Sequence, residues 1–349
     1  MAARPGGEHL PGSRLKIAIL GAGSIGCFVG GCWQAAGLPV RFIGRPSFAR
    51  DIANHGLTLT DYDGWQATLA PGEVDYVPDP AGLGEADIIA LTVKSLATAE
   101  TAREIARHGR DGATVVSLQN GVSNVDLLER ELGGRFAIVR GMVPYNVAYL
   151  GEGWFHKGVA GRLWTEDQPA MRDLAERVGA SPAGLNLSDD MLAIAWGKLL
   201  INLNNAINAL SGRTLVEELG DRDYRRVFAA SMREGLRLLD RARIAPAKVG
   251  SVGPRLLPAV IDAPNWLFNN IFMKAWRIDT KARSSMADDL AAGRLTEVDY
   301  LNGELVRLAG QLGTEAPVNR RVAELVRTAE TGDPRRWDGA ELARVVLGG

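Results

Sequence analysis

Lys16-Ile17-Ala18-Ile19-Leu20-Gly21-Ala22-Gly23-Ser24-Ile25-Gly26 runs from an apolar, strand-type segment into a Gly-x-Gly-x-x-Gly loop. Cys27 to Ala36 then reads as a helix of small and apolar residues. Strand, glycine loop and helix in this order are what a dinucleotide-binding βαβ unit needs. Gly21 allows the tight turn, Gly23 lets the backbone approach a pyrophosphate, and Gly26 lets the helix pack close on the strand. With Ser24 and Ile25 they form the expected cofactor cradle, because the first N–H groups of a helix have no partner within it.

The next strand bears on which dinucleotide. Leu38 to Ile43 reads as that strand, and a site for NAD usually ends it on Asp or Glu, which accepts from the ribose 2′-hydroxyl. Here the chain continues Gly44-Arg45-Pro46-Ser47, and the next acid is Asp51. A carboxylate would repel a 2′-phosphate, whereas a guanidinium binds one through paired, charge-assisted hydrogen bonds. The expected cofactor is therefore NADP(H), with Arg45 on the 2′-phosphate and Ser47 beside it.

Bulk composition narrows the class. The chain has 349 residues, is 46% hydrophobic and 23% charged, and carries a net charge of −1. Such a balance offers no basic field for nucleic acid or an anionic membrane. No apolar run is long enough for a membrane span. The cysteines, Cys27 and Cys32, fall five apart on the first helix and read as small buried residues of a reducing, cytoplasmic compartment. The four histidines have no ligand spacing, so no metal site is expected.

Strand-type runs at 16–20, 40–43, 86–93, 114–118 and 136–139 alternate with helical segments, with short β segments between 56 and 77. The pattern predicts an α/β, Rossmann-type doubly wound sheet. Runs at 142–150, 153–157 and 161–164 could extend it with antiparallel strands, and 170–178 reads as a helix. From about residue 190 the chain is helical, with Asp189 as the expected N-cap and segments near 190–210, 221–243, 246–259, 265–274, 282–291, 297–312 and 316–330. Three parts are thus expected: a disordered tail (1–13), an NADP-binding Rossmann-type domain (14–188) and an all-α C-terminal domain for substrate binding and dimerisation (189–349). A homodimer is a possible partner state, although no exposed seam can be read from the sequence.

Within 191–210 the chain is mostly apolar, yet Lys198, Asn202 and Asn205 recur at i, i+4 and i+7. Burying an ammonium and carboxamides is costly without partners. A polar ligand would supply them, and so would an interhelical hydrogen-bond network or a water-facing stripe. A second polar block holds Ser284-Ser285-Met286 and Thr296-Glu297-Val298-Asp299. By spacing alone, Glu297 reads as a residue of a capping turn.

With these blocks in hand, the chain resembles the ketopantoate reductase (2-dehydropantoate 2-reductase) family. The resemblance rests on Gly21 to Gly26, Thr92-Val93-Lys94-Ser95, Gln119-Asn120-Gly121, Trp196 to Asn202, Ser284-Ser285-Met286 and Thr296 to Gly303, in family order across about residues 16 to 330. It implies NADPH-dependent reduction of a 2-keto acid, 2-dehydropantoate, to a 2-hydroxy acid, pantoate, on the route to pantothenate and coenzyme A. It also implies roles: Lys198 as general acid, Glu297 on the substrate's distal hydroxyl, Ser285 on its carboxylate, and Asn202 as a polar substrate contact. Lys94 and Asn120 match positions near the cofactor, Asn120 also near the substrate. The family often has Asn-Pro where this chain has Ala206-Ile207, so the contacting amide falls to Asn204, Asn205 or Asn208, with Asn205 on the stripe. The tryptophan-rich segment 265–276 lies outside the shared motif and could reshape the pocket. A same-fold reductase of another keto acid or of an imine, and an NADP(H)-sensing protein without catalysis, are the alternative readings.

Overall fold

The structure is a computed structural model that describes residues 15–276, 279–332 and 335–348. The tail expected over 1–13 lies outside the described residues. The chain forms two compact units. The first comprises described residues through Val93, together with Ala97–Leu118 and Leu128–Asp189. The second comprises Lys94–Leu96, Gln119–Leu127 and the chain from Asp190 onward.

The first unit is built on an eight-stranded sheet and a four-stranded sheet. Its strands are β1 (Ile17–Leu20), β2 (Val40–Ile43), β3 (Leu57–Asp61), β4 (Gln66–Leu69), β5 (Asp75–Val77), β6 (Ile88–Leu91), β7 (Thr114–Ser117), β8 (Ala137–Met142), β9 (Val147–Tyr149), β10 (Trp154–Lys157), β11 (Leu163–Glu166) and β12 (Leu185–Ser188). The large sheet has the order β12-β11-β8-β7-β6-β1-β2-β5. It is parallel from β8 through β5, and β11 joins β8 antiparallel. β1, β6 and β7 are buried at every position. That explains why β1 and β6 are unbroken apolar runs and why β7 carries only small polar residues, Thr114 and Ser117, at its ends, since a strand covered on both faces has no polar side. The small sheet pairs β3 with β4 and β10 with β9 antiparallel, and β3 with β10 parallel. The runs expected at 142–150 and 153–157 thus end in β9 and β10 of the small sheet, while that at 161–164 shifts to β11 of the large one. β12 was not expected, although Leu185-Asn186-Leu187-Ser188 alternates apolar and polar as a half-buried strand does.

Helices α1 (Ser24–Ala35), α2 (Pro46–His55), α3 (Thr98–His108) and α5 (Pro169–Val178) belong to the first unit, and the unit boundary falls within α4 (Asn124–Leu132). The second unit adds α6 (Met191–Asn202), α7 (Asn204–Ser211), α8 (Leu215–Gly220), α9 (Arg222–Arg241), α10 (Leu257–Ile261), α11 (Asn265–Leu267), α12 (Met273–Trp276), α13 (Ser285–Ala291), α14 (Asn302–Gln311), α15 (Pro317–Thr331) and α16 (Gly339–Leu347). Its apolar core draws on most of these, including Trp196, Leu200, Tyr224, Phe228, Leu305 and Val326. Among the described residues, no helix is long and apolar enough to cross a membrane.

Several helix expectations need correction. The helix at 190–210 is two helices with a turn at Leu203. Asn202, Asn204 and Asn205 crowd that turn, and asparagine side chains compete with the backbone for hydrogen bonds. Its cap is Asp190, whose side chain accepts from Ala193 N at 3.0 Å, not Asp189. Of 246–259, only Leu257–Ile261 and the residues next to it turn helical, because Pro246, Gly250, Gly253 and Pro254 break the pattern. Segment 265–276 is helical but contains a π-turn over Phe268–Phe272. The helix expected over 297–312 is a 3₁₀ turn (Val298–Tyr300) followed by α14. Two helices were missed: α8, opened by the reciprocal Thr214–Glu217 capping box, and α16, capped by Asp338.

Candidate active site

In the first unit the glycine loop joins β1 to α1 at the carboxyl end of the strand. β1 lies between β6 and β2, the point where strand order reverses and ligands of doubly wound sheets bind. Gly21 and Ala22 both donate backbone N–H bonds to Ile43 O at 2.9 Å, which ties the loop to the end of β2. Gly21 has φ +92°, and a Cβ there would meet Val93 N at 2.6 Å. At Gly26 a Cβ would press on Ile19 Cγ2 (2.8 Å) and Thr92 Oγ1 (2.6 Å), so the third glycine is needed for the helix to approach the strand. Gly23 differs. Its missing Cβ would meet only Gly21 O, at 3.8 Å, so the space is open to an approaching group. α1 starts without a side-chain cap and without an acid in its first turn. Its leading N–H groups, at Ser24, Ile25 and Gly26, therefore suit an anion. These residues fit a dinucleotide pyrophosphate.

Arg45 sits two residues beyond β2 as the N-cap of α2, with Pro46 in the first helical position. Its guanidinium is exposed and lies 5.2 Å from the centre of the Phe48 ring. It makes no ion pair among the described residues, so its charge is available to a phosphate. Ser47 follows it, exposed, on the first turn of α2. Cys27 and Cys32 are free and buried, and burial pushes the Cys32 thiol up to about 12.

In the second unit, Lys198 lies on α6, where nine of the twelve residues are buried. It is half-buried and has no hydrogen-bond or ion-pair partner among the described residues. Removal of water from its ammonium lowers its pKa to about 8. One turn further on the same face is Asn202, whose amide donates to Asn120 Oδ1 at 3.4 Å. Asn120 Nδ2 in turn donates to Glu297 Oε2 at 3.2 Å. Glu297 Oε1 accepts from the backbone N–H and the hydroxyl of Ser95, both at 2.8 Å. Of the polar stripe, Asn202 alone joins this network, while Lys198 and the Asn205 amide stay outside it. Glu297 does not cap its own turn; Thr296 Oγ1 does, accepting from Val298 N at 3.2 Å.

Lys94 pairs with the buried Asp289, which also accepts from Arg294 Nε (3.0 Å) and Nη2 (2.9 Å). Ser285 is the exposed first residue of α13, while Ser284 caps that helix and donates to Asn205 O at 3.1 Å. The three candidate asparagines separate cleanly. Asn208 accepts from Ser284 N and donates to Arg213 O, and Asn204 donates to Glu218 Oε2 at 3.0 Å. The side-chain amide of Asn205 has no partner among the described residues. Segment 265–276 is anchored by the buried Arg225, which donates to Ile261 O, Ala263 O and Asn265 Oδ1 and lies 4.1 Å from the centre of the Phe268 ring. That gives Asn265 and Phe268 a structural role and leaves Trp266 exposed.

The Asn204–Glu218 pair sets a local pH dependence. Glu218 is fully buried, and burial raises its carboxyl to about 8, against the opposing pull of Asn204, Asn208 and Arg225. Glu218 Oε1 and Asn204 Oδ1 both lack a partner among the described residues. A protonated carboxyl still accepts from Asn204 Nδ2 and carries no charge to be desolvated. The fold therefore favours the neutral acid. This stabilisation is complete below the ordinary carboxylate range and is lost at about 1.4 kcal/mol per pH unit as pH rises toward 8. Glu218→Gln keeps the hydrogen bonds and cannot ionise. Its Tm should match the wild type near pH 5 and exceed it by several degrees near pH 8. Equal Tm differences at both pH values would mean that Glu218 is ionised in the fold.

Ser95, Asn124 and Asp289 were not singled out from the sequence. Asn124 Nδ2 donates to Ser95 Oγ at 3.0 Å and to Asn120 O at 2.6 Å, which braces the two short segments that carry Ser95 and Asn120. The signal available was position: Ser95 lies in the Thr92–Ser95 block and Asp289 four residues after Ser285.

Comparison with known proteins gives a consistent assignment. The family model described as "Ketopantoate reductase PanE/ApbA" matches residues 17–169, and that described as "Ketopantoate reductase PanE/ApbA C terminal" matches residues 190–330. A 2-dehydropantoate 2-reductase from Pyrococcus abyssi is 28% identical over 326 residues, which is 90% of this chain and 98% of the relative. Among solved structures, a PanE/ApbA family ketopantoate reductase from Ralstonia eutropha JMP134 superposes with a TM-score of 0.76 at 28% identity, covering 90% of this chain and 98% of the other. A D-mandelate dehydrogenase solved with NADH and anilino(oxo)acetate shares the fold, with a TM-score of 0.75 at 21% identity and coverage of 90% and 98%.

Proposed function

Because this chain belongs to the ketopantoate reductase family of oxidoreductases, we propose that it reduces a 2-keto acid, 2-dehydropantoate in the first instance, to the 2-hydroxy acid with NADPH. The observation that carries the reading is Lys198: a half-buried ammonium without a partner among the described residues, at a pKa of about 8, one turn from Asn202. Gly21 to Gly26 would hold the pyrophosphate and Arg45 the 2′-phosphate. The nicotinamide, when bound, supplies the hydride. Reduction of the carbonyl places negative charge on its oxygen, and Lys198 stabilises that charge and gives up one proton to form the hydroxyl. Solvent then reprotonates the amine. Asn202 and Asn120 orient the substrate by hydrogen bonds, Glu297 accepts from its distal hydroxyl, and Ser285 and Asn205 are further polar contacts. Lys94, held by Asp289, would lie by the cofactor as a cation whose direction is already set.

Cofactor choice tests the first half of this reading. Loss of one charge-assisted phosphate contact costs about 1.5–3 kcal/mol, roughly ten- to a hundred-fold in affinity. Arg45→Ala should weaken NADPH binding by that factor and leave NADH binding nearly unchanged, as measured by fluorescence titration. Equal losses for the two would remove Arg45 from the 2′-phosphate site.

A further inference from the structure

A cavity of about 340 Å³ lies in the second unit beside the proposed substrate residues. Asn202, Asn204 and Asn205 give it its carboxamide lining, Asn204 already being bonded to Glu218. Its other walls include Leu215, Leu219, Phe228, Val252, Leu257 and Ile261, none of which offers a hydrogen-bonding side chain. Of the Asn202–Asn120–Glu297 network only Asn202 lines the cavity, and Lys198 lies one helical turn before it; Asn205 carries the one candidate amide whose side chain has no partner among the described residues. The 249–252 loop borders the cavity, with Gly250 and Ser251 exposed. An apolar chamber of roughly 150 Å³ already accepts a benzene ring. The space here is about twice that, next to groups suited to a keto acid's polar end. A small hydroxylated acid would leave the walls facing water or empty space. A bulky hydrocarbon group would cover them, with a gain that grows with the apolar area removed from water.

We propose that this cavity receives the carbon substituent of the substrate, so that the enzyme reduces 2-keto acids bearing a bulky apolar group, aromatic or branched aliphatic, at least as efficiently as 2-dehydropantoate. The proposal rests on the reductase reading and specifies the substrate class of the same site. The hydride still comes from NADPH and the proton from Lys198, and only the group beside the carbonyl changes. Val252 is a wall residue on the bordering loop, so filling the cavity there disturbs the helical core least. Val249→Trp fills the same cavity from the same loop and serves as a second variant should the first misfold.

The experiment measures kcat/KM with NADPH for phenylglyoxylate, 2-oxo-4-methylpentanoate and 2-dehydropantoate, in the wild type and in Val252→Trp. In parallel, calorimetry follows binding of the phenyl-bearing 2-hydroxy acid to the NADPH-loaded protein. The wild type should turn over the two bulky acids with kcat/KM equal to or above that for 2-dehydropantoate. Val252→Trp should lower the ratio of bulky-acid to 2-dehydropantoate efficiency by roughly tenfold or more. Turnover of 2-dehydropantoate alone, with the bulky acids neither bound nor reduced, would overturn the proposal and leave the reductase reading standing. An unchanged ratio in both tryptophan variants would also overturn it. Binding of the phenyl acid that either variant weakens, with no keto acid reduced, would uphold the cavity assignment and end the reductase reading.

Discussion

Lys198→Ala should lower turnover by about 10²–10⁴-fold while leaving NADPH affinity nearly unchanged. The loss has two parts, the proton donor and the cation beside the developing negative charge. Both act on the carbonyl oxygen, whereas the cofactor's phosphates are assigned to the glycine loop and Arg45. Lys198 makes no structural bond among the described residues, so its removal costs no hydrogen bond of the fold. It also relieves a half-buried ammonium of its desolvation. The variant should therefore fold at least as well as the wild type. Steady-state turnover and cofactor titration on the same preparation check this. Near-normal turnover would end the assignment of Lys198 as proton donor. A parallel collapse in NADPH binding would move Lys198 into the cofactor site.

Glu297→Ala should reduce kcat/KM for 2-dehydropantoate roughly ten- to a hundred-fold more than for a keto acid of similar size that lacks the distal hydroxyl. The comparison between substrates matters because the carboxylate already holds Ser95 and Asn120. Releasing those groups impairs every substrate by a common factor. Only the excess penalty on the hydroxylated one reports a direct bond. The two kcat/KM ratios, measured side by side, decide the matter: equal penalties would make Glu297 a positioning residue that holds Ser95 and Asn120 in place.

Much of the fold was legible from local pattern. Buried parallel strands announce themselves by concentrated apolar and β-branched residues, so β1, β2, β6 and β7 fall within a few residues of where the sequence places them. Strands after Met142 were harder, because pairing partners are set by distant segments: nothing near Trp154 says that it pairs with Thr58 of the small sheet. Helix ends failed where glycine, proline or asparagine chemistry overrode apolar spacing, as at Leu203 and across 246–256. In the candidate site, the glycine loop and the Lys198–Asn202 spacing are local and could be read. The contact of Glu297 with Ser95 joins residues 202 positions apart and needed the fold. So did the distinction among Asn204, Asn205 and Asn208, which depends on Glu218 and Ser284 occupying two of the three.

The most direct test of the account is the rate of NADPH oxidation by saturating 2-keto acid, followed from about pH 6 to about pH 10. The chemical step needs Lys198 in its protonated form. Turnover should therefore be level at low pH and fall about tenfold per pH unit above a break at or beyond pH 8, because a bound carboxylate raises the ammonium's pKa from its value of about 8 in the free protein. A rate that stays level through pH 10, or the absence of NADPH oxidation with every keto acid despite tight NADPH binding, would contradict it.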